Sequence, residues 1–382
     1  MLSPLDREAM IFRLTCEQIP ISLEEEDLIP GRYGCPDGAP YQVAQQRRFS
    51  RTDAYSPELA KVRDVLAETY RCITRFHKAH TCIDYEYILQ HGLRGYMEQI
   101  LHTLEKDIPQ AHKHCLQAML TTITSVQLYC QRFADLAQQQ QNRHDPRLIR
   151  IREAMERVPF EPAEDFYQAV CAIWTMHSLV PISDNSWASV SLGRLDQYLY
   201  PFYEKALAQG ETEEQLKYYL IELFRLLNTY GDGACALNIG GADKDGKEQL
   251  NGLSLLLLQV EKELAMPSPI FAVRMSPETP EAFWDALIDK RLFTIGQPTF
   301  YSQVNCQKAI ARRGVPQEEA AAFSVNSCMG LHMAGQEIAS MWGCMYNMHL
   351  PLELAITGGQ PLHGQLPLAL QTAGRIPENT QH

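Results

Sequence analysis

The chain alternates β-rich and helical runs from about residue 166 onward. The run SPIFAVRM is rich in β-branched and aromatic residues, PTFYSQVN is a further strand-like run, and ALNIG indicates a strand before a glycine turn. Segments with helical spacing separate the three runs. Strands that alternate with helices indicate a parallel sheet or barrel covered by helices. The sequence therefore predicts an α/β fold for residues 166–382.

The first 165 residues lack this alternation and are predicted to be mostly helical. Apolar residues recur three and four positions apart in YEYILQHGLRGYMEQILHTLEK and in CLQAMLTTITSVQLYCQRFADLAQQQQ, which is the spacing of amphipathic helices. Asp145-Pro146 starts a further helical run. The predicted organisation is a helical region over residues 1–165 followed by the α/β region.

Charge and composition restrict the class of protein. The chain has 382 residues and a formal net charge of −12. Nucleic-acid and anionic-membrane partners need clustered Lys and Arg, so neither is predicted. The N-terminus has no export signal, and the longest apolar run is far below the roughly 18 residues of a membrane span. The 11 cysteines include no Cys-x-x-Cys pair, which indicates reduced thiols in a cytoplasm.

Cys328 is the strongest candidate for a chemical role. It follows a helix-like run from Gln317 to Phe323 and precedes a helical pattern from Tyr346 to Ile356, and a thiol on such a loop can be held at the mouth of a cavity. As an ionic nucleophile it would need a base, for which His332 is a candidate, although such partners usually meet through the fold. A small buried hydrophobe is the structural alternative, and Cys344 is the next candidate.

Other polar clusters point to structure and not to ligand binding. Two groups of histidines and cysteines do not match a closed zinc spacing. The first group is His112, His114 and Cys115, for which a solvated helix face is expected; the second is His77, His80 and Cys82, for which a helix-end cluster is expected. The segment DKDG at residues 243–246 lacks the late glutamate of a calcium loop, which predicts a tight turn. Gly240-Gly241 is not followed by the Lys-Ser/Thr of a phosphate loop, and no metal site is predicted.

The segment around Cys328 resembles the catalytic-cysteine loop of glycyl radical enzymes, the pyruvate formate-lyase and diol-dehydratase-like superfamily. The family has Gly-Cys-Val-Glu-Pro and then a helix with Phe-Asn and Leu-Glu-Leu-Ala; this chain has SCMGL, then YN and LELA. Further segments resemble the family in the same order along the chain. These are HTCIDYEYILQHGLRG, VPFEPAEDFYQAVCAIWTMHSL, SVSLGRLDQYLYPFY, LNIGGADKDGKEQLNGLSLLLL and GQPTFYSQ. The resemblance covers nearly the whole chain, and its specificity lies in the ordered series.

The resemblance implies a fold, a chemistry and partners. The fold would be a helical N-terminal region plus part of a ten-stranded β/α barrel of the pyruvate formate-lyase type. A glycyl radical would take a hydrogen atom from Cys328, whose thiyl radical would then abstract hydrogen from a small organic substrate. This requires a neutral thiol, and no Lys or Arg adjoins Cys328. No bound cofactor is expected. The expected partner is a radical S-adenosylmethionine activating enzyme, and the protein is expected to form a homo-oligomer.

Two departures from the family pattern bear on the reaction. The Arg-Val-x-Gly-Tyr/Phe loop that carries the radical does not occur in these 382 residues. The chain is therefore expected to be an N-terminal half, active with a glycyl-bearing part of the same or another chain. Gly330 stands where dehydratases and related eliminases have a general acid/base glutamate, which counts against an ordinary diol dehydratase, choline lyase or isethionate lyase. The reaction within the family stays open.

The resemblance carries two residues over to a site. Cys328 is expected to form the thiyl radical, and Ser189 falls where dehydratase-like members place a substrate-contacting serine. The alternative for Ser189 is a strand-end serine that satisfies a backbone group. Arg194, Asp196 and Gln197 are expected to fix helix packing. The alternative functions are a catalytically silent truncated homologue or scaffold and, third, a hydrolase with Cys328 as nucleophile.

Overall fold

The structure is a computed structural model. It describes residues 3–33, 77–78, 81–140, 145–184, 190–230, 235–327, 330–337, 341–342 and 349–358. Four residues singled out above lie outside these ranges. They are His80, Ser189, Cys328 and Cys344.

The residues of the N-terminal part that the structure describes are mostly helical, as predicted. Its helices are α1 (Pro4–Gln18), α2 (Tyr85–Leu104), α3 (Gln110–Gln140), α4 (Pro146–Arg157) and α5 (Phe166–Asp184). Asp145 caps α4 by accepting a hydrogen bond from the amide of Arg147 (2.9 Å), and a proline occupies the first turn. Helices α1 and α4 both pack on α3. Arg132 of α3 donates to the carbonyl oxygens of Cys16 and Ile19 at the end of α1 (2.7 and 2.6 Å).

A short arm joins α1 to the core. Strands β1 (Ile21–Ser22) and β2 (Arg32–Tyr33) pair antiparallel. Trp174, fully buried in α5, donates its indole N–H to the carbonyl oxygen of Gly31 (3.3 Å). The arm is therefore fixed to a buried helix of the core.

A parallel sheet forms the second part. Strands β4 (Ala236–Gly240), β5 (Ile270–Met275) and β6 (Thr299–Ser302) lie side by side in that order, and both pairings are parallel. Parallel bridges between Gly193 and Leu237 and between Cys82 and Ser191 extend the sheet beyond β4. The expected helix-end cluster around Cys82 is therefore wrong, because Cys82 belongs to the sheet and the neighbouring His77 to a strand.

Helices of the second part connect and cover these strands. They are α6 (Leu195–Tyr198), α7 (Tyr200–Ala208), α8 (Glu213–Tyr230), α9 (Gly252–Leu264), α10 (Glu281–Leu287), α11 (Lys290–Thr294), α12 (Gln303–Ala311), α13 (Gln317–Ala320) and α14 (His349–Ile356). The run PTFYSQVN is a strand only to Ser302, whose side chain accepts the amide of Asn305 (3.4 Å) and caps α12. Among the helices that the structure describes, none combines the length and apolar character that crossing a membrane requires.

Two antiparallel pairs complete the described fold. Strand β3 (His77–Lys78) pairs with β9 (Met341–Trp342), and β7 (Ser324–Asn326) pairs with β8 (Gly330–His332). A separate apolar cluster packs β7 and β8 against β5 and the helices α12 and α13. Its buried members are Ala272, Ile310, Ala320, Phe323, Val325 and Met333.

Candidate active site

Strands β7 and β8 form a hairpin, called here the cysteine hairpin (residues 324–332). Asn326 pairs with Gly330, so Ser327, Cys328 and Met329 connect the two strands. Ser327 has a φ of 53°, in the left-handed region that residues other than glycine seldom adopt. The sequence predicted a loop at Cys328, and the register places this residue at the middle of the connection. Its own placement lies outside the described ranges.

Two side chains bind the edge of β7 that faces away from β8. The side-chain amide of Asn238 donates to the carbonyl oxygen of Val325 (3.0 Å), and the Val325 amide donates back to Asn238 Oδ1 (2.5 Å). Ser191 Oγ accepts hydrogen bonds from the amides of Ser327 (2.9 Å) and Ala236 (3.1 Å). These groups are buried, so the hairpin is attached through specific polar contacts in the interior.

The sheet explains why side chains make these contacts. The Leu192 amide donates to the Ala236 carbonyl (2.8 Å), and the Asn238 amide donates to the Gly193 carbonyl (2.8 Å). The backbone in this part of the sheet is thus used in parallel pairing. Only side chains remain free to reach a segment that lies on the face of the sheet.

The hairpin has a defined direction relative to the sheet. Its first residue, Ser324, lies at the carboxyl end of the 190–193 segment, where a methyl group on Gly193 would be 3.3 Å from Ser324 Oγ. Ser327 lies at the opposite end, bonded to Ser191, near the start of β4 at Ala236. Strand β7 therefore runs antiparallel to the sheet and leads towards the amino ends of these strands.

A second group of buried polar residues lies at the carboxyl ends of the strands. Arg274 Nη2 donates to Gln303 Oε1 (2.7 Å) and to the Ala321 carbonyl (2.6 Å), immediately before the cysteine hairpin. Burial, and secondly the nearby charge of Arg194, hold the pKa of the Arg274 guanidinium well below its ordinary value. Arg274 therefore ties the entry of the hairpin to the end of β5.

Asp196 and Gln197 fix packing, as predicted. Asp196 Oδ2 accepts from the Gly240 amide (2.8 Å) and the Ser254 hydroxyl (2.6 Å), and burial raises the pKa of this carboxyl. Gln197 donates to the Gln249 carbonyl (2.9 Å). These bonds connect α6 to the end of β4 and the start of α9.

Arg194 borders a cavity of about 160 Å³ at the same end of the sheet. Asp84, Ser324 and Gln336 also line the cavity, and burial lowers the pKa of Arg194. Its size and its mixed charges suit a small polar molecule or water. The sequence interpretation assigned Arg194 to packing alone and did not anticipate this cavity.

The described thiol and imidazole near the hairpin are both in their neutral forms. Burial raises the pKa of Cys82 to about 12, against an opposing hydrogen bond with Ser324. Burial lowers the pKa of His332, whose Nδ1 lies 3.8 Å from Glu337 Oε2. His332 pairs with Ser324, at the end of the hairpin away from Cys328. The position of His332 gives no support to an ionic Cys328–His332 pair.

The other polar clusters that the sequence analysis considered lie on a helix surface and in a turn. His112 and Cys115 are exposed on α3, and within the described ranges no group of three or more His, Cys, Asp or Glu residues could hold a metal ion. Asp243 Oδ1 accepts the amides of Asp245 and Lys247 (both 2.9 Å), which forms the predicted tight turn.

Ser191 and Asn238 are the residues that sequence reasoning missed. Asn238 is the polar residue in the otherwise apolar run ALNIG, whose residues are all buried. A buried side-chain amide needs partners, and this signal pointed to a specific contact. Ser191 is the second serine of SVS, two positions after Ser189.

Comparisons with known proteins agree with this architecture. A family described as pyruvate formate lyase-like matches residues 39–373. Isethionate sulfite-lyase of Bilophila wadsworthia is 29% identical over 318 residues, which are 76% of this chain and 38% of that protein. The (2S)-3-sulfopropanediol dehydratase of Klebsiella oxytoca is 25% identical over 309 residues, which are 74% of this chain and 37% of that protein. The chain thus spans less than half the length of these curated relatives.

A solved structure shows the same fold. The crystal structure of a glycyl radical enzyme from Archaeoglobus fulgidus matches with a TM-score of 0.80 at 21% identity, over 95% of this chain and 55% of that one. At this identity the likeness speaks for the fold. It confirms the predicted α/β class, with a helical N-terminal region and part of a β/α barrel.

Proposed function

Because the chain belongs to the pyruvate formate lyase-like family of the glycyl radical enzymes, we propose that it is the cysteine-bearing portion of a glycyl radical lyase. Cys328 forms a thiyl radical that abstracts a hydrogen atom from a small organic substrate. The observation that carries this proposal is the attachment of the cysteine hairpin, whose edge is bound in the interior by Asn238 and Ser191 on either side of Asn326.

The surroundings of the hairpin suit a neutral thiol. The groups that bind Val325 and Ser327, beside Cys328 in the chain, are a carboxamide and a hydroxyl, and neither lowers the pKa of a thiol as a cation would. A glycyl radical supplies the hydrogen-atom abstraction that activates the thiol. The described residues hold the strand that leads to Cys328 and bury it in the interior. This burial helps to keep water from the reacting atoms.

Ser189 is proposed to contact the substrate. The family resemblance places a substrate-contacting serine at this position, two residues before Ser191, whose hydroxyl accepts the amide of the residue that precedes Cys328. The alternative, a serine that satisfies a backbone group, is the role that Ser191 itself fills towards Ala236.

The proposed partners follow from family membership. The radical comes from a glycyl-bearing segment outside these 382 residues, in the same longer protein or in a separate chain. A radical S-adenosylmethionine enzyme generates it, in an anaerobic cytoplasm, and the assembled enzyme is a homo-oligomer. The named relatives are a sulfite-lyase and a dehydratase, which supports a small polar substrate.

The reaction is one of C–C cleavage, elimination, decarboxylation or addition. Gly330 supplies no acid or base, so an elimination at this site needs a proton-transfer group from elsewhere. A methyl group at residue 330 would lie 3.3 Å from the Asn326 carbonyl oxygen. A larger side chain there requires only a small shift, so the local backbone does not by itself require glycine.

The test uses this chain assembled with a glycyl-bearing segment and activated anaerobically. We expect Cys328→Ala to abolish turnover while the glycyl radical signal in electron paramagnetic resonance persists. Cys115→Ala, at an exposed position on α3, is the matched control and should retain both. Full turnover by Cys328→Ala would contradict the proposal. A radical and turnover that do not require this chain would instead support the silent-scaffold alternative.

A further inference from the structure

We propose that Ser191 is the positioning residue of the cysteine hairpin, and that its hydroxyl sets the direction in which the chain enters Cys328. This inference rests on the proposed function of Cys328. Ser191 itself is fully buried and, being bonded within the protein on three sides, is placed to act through the hairpin and not on a substrate.

The hydroxyl group uses its full hydrogen-bonding capacity. Its oxygen accepts from the amides of Ser327 (2.9 Å) and Ala236 (3.1 Å), and its proton is donated to Asn326 Oδ1 (3.2 Å). A serine hydroxyl has one donor and two acceptor sites. A single atom therefore joins the first strand residue of β4 to the last two residues before Cys328.

The Ser191 hydroxyl binds a residue, Ser327, whose backbone conformation is intrinsically unfavourable. Ser327 is one of two described residues other than glycine with a positive φ, 53°. Such a conformation persists only where its surroundings impose it. The bond from its amide to the Ser191 hydroxyl is one of the contacts that hold this residue, and the next residue along the chain is Cys328.

Asn238 holds the same strand one step earlier. It pairs with both backbone groups of Val325, which fixes the position of β7 but leaves the conformation of Ser327 undetermined. Asn238 thus fixes the position of β7, and Ser191 fixes the conformation at its end.

The test measures the accessibility of Cys328 in the protein as it exists, without any radical. Ser191→Ala leaves two buried amides without their acceptor, so we expect the rate of Cys328 alkylation, followed by mass spectrometry, to rise about tenfold or more. The exposed Cys115 serves as the internal standard and should react unchanged. Hydrogen exchange at the Ser327 amide should accelerate in parallel.

Ser178→Ala is the matched control. Ser178 is equally buried and donates to the Thr175 carbonyl (3.0 Å) in α5, so its removal costs stability without touching the hairpin. Ser178→Ala should leave Cys328 alkylation unchanged even where it lowers the melting temperature. A Ser191→Ala protein with wild-type alkylation and Ser327 exchange would overturn the proposal.

A milder variant covers the case in which Ser191→Ala does not fold. Asn326→Ala removes the acceptor of the Ser191 proton and leaves the Ser191 oxygen in place for both amides. We expect a smaller increase in Cys328 alkylation; no increase would overturn the proposal. The readout is independent of turnover. A Cys328→Ala enzyme that stays active would refute the radical role, whereas unchanged alkylation in these variants would refute the positioning role.

Discussion

The guanidinium carbon of Arg274 lies 4.2 Å from the centre of the Phe323 ring. Phe323 immediately precedes the cysteine hairpin, so a cation at the end of β5 packs on the residue that leads into the candidate active site. Arg274 is 1% exposed. In the described part of the chain no carboxylate lies within ion-pair distance of it, and its bonded partners are neutral.

Arg274→Lys should lower the stability by about 1–3 kcal/mol. The lysine keeps a buried charge but loses the planar group that packs on Phe323 and the paired geometry towards Gln303 and Ala321. Arg274→Met should be less harmful, because it fills the space without burying a charge. Urea unfolding followed by circular dichroism gives the comparison, with the exposed Arg291→Lys as control. A methionine variant less stable than the lysine variant would contradict this account.

Gly193→Ala should destabilise the protein more than an ordinary glycine replacement. Gly193 has a φ of +63°, and a methyl group there would lie 2.7 Å from the Cys82 sulfur. The left-handed backbone costs about 1–2 kcal/mol, and the overlap with a buried thiol adds to this. Gly210→Ala is the control, since Gly210 has a φ of +93° with nothing within 4 Å.

Thermal unfolding separates the two contributions. Gly210→Ala measures the cost of an alanine at a positive φ in open space, and a larger loss in Gly193→Ala reports the overlap. Adding Cys82→Ala to Gly193→Ala should recover part of that loss. Equal losses in Gly193→Ala and Gly210→Ala would show that Cys82 does not restrict this position.

The sequence predicted the order of elements well because each carries a local signal. The helical periodicity of the apolar residues predicted α2 and α3, and the run ALNIG before the glycine turn predicted β4. The sequence-based prediction was wrong where a contact between distant segments determines the secondary structure. Cys82 enters the sheet because it pairs with Ser191, and nothing in the local run HTCID announces a strand.

The same distinction applies to the candidate site. The resemblance found Cys328, because the family pattern is local. Ser191 and Asn238 reach the hairpin across sequence separations of 136 and 87 residues. Such contacts arise from the direction of β7 over the sheet, which neither spacing nor composition encodes.

Glu261 should make the stability of the protein depend on pH. It lies in α9 and is fully buried, and among the residues that the structure describes neither of its carboxylate oxygens has a hydrogen-bond partner. Burial raises its pKa from about 4.5 to about 8. The folded state therefore favours the protonated form, and this contribution is complete below about pH 4.5 and is lost as the pH rises to about 8.

Glu261→Gln removes the titrating group while keeping the shape of the side chain. We expect the variant to exceed the wild type in stability at pH 9, with a flatter pH dependence between pH 5 and 9, measured by urea unfolding. Glu263→Gln, a half-exposed neighbour on the same helix, should keep the wild-type profile. A wild-type profile for Glu261→Gln would show that the carboxyl is charged or solvated in the fold.

The described part of the chain exposes an apolar patch beside the edge strand β6. Trp284 and Phe300 stack with ring centres 5.9 Å apart, and they are 41% and 48% exposed. Val304, in the first turn of α12, is 40% exposed. Within the described sheet, β6 pairs with β5 alone. An exposed strand edge flanked by apolar side chains favours association.

The isolated 382-residue chain should therefore self-associate through this patch. Phe300→Lys places a charge on the edge strand, and we expect it to shift sedimentation velocity profiles towards the monomer. Tyr218→Lys replaces a similarly exposed aromatic residue on α8, away from β6, and should leave the profile unchanged. Adding a glycyl-bearing segment that covers the patch should reduce the effect of Phe300→Lys on association. A monodisperse wild-type monomer, or an equal response to both substitutions, would show that β6 is not the associating edge.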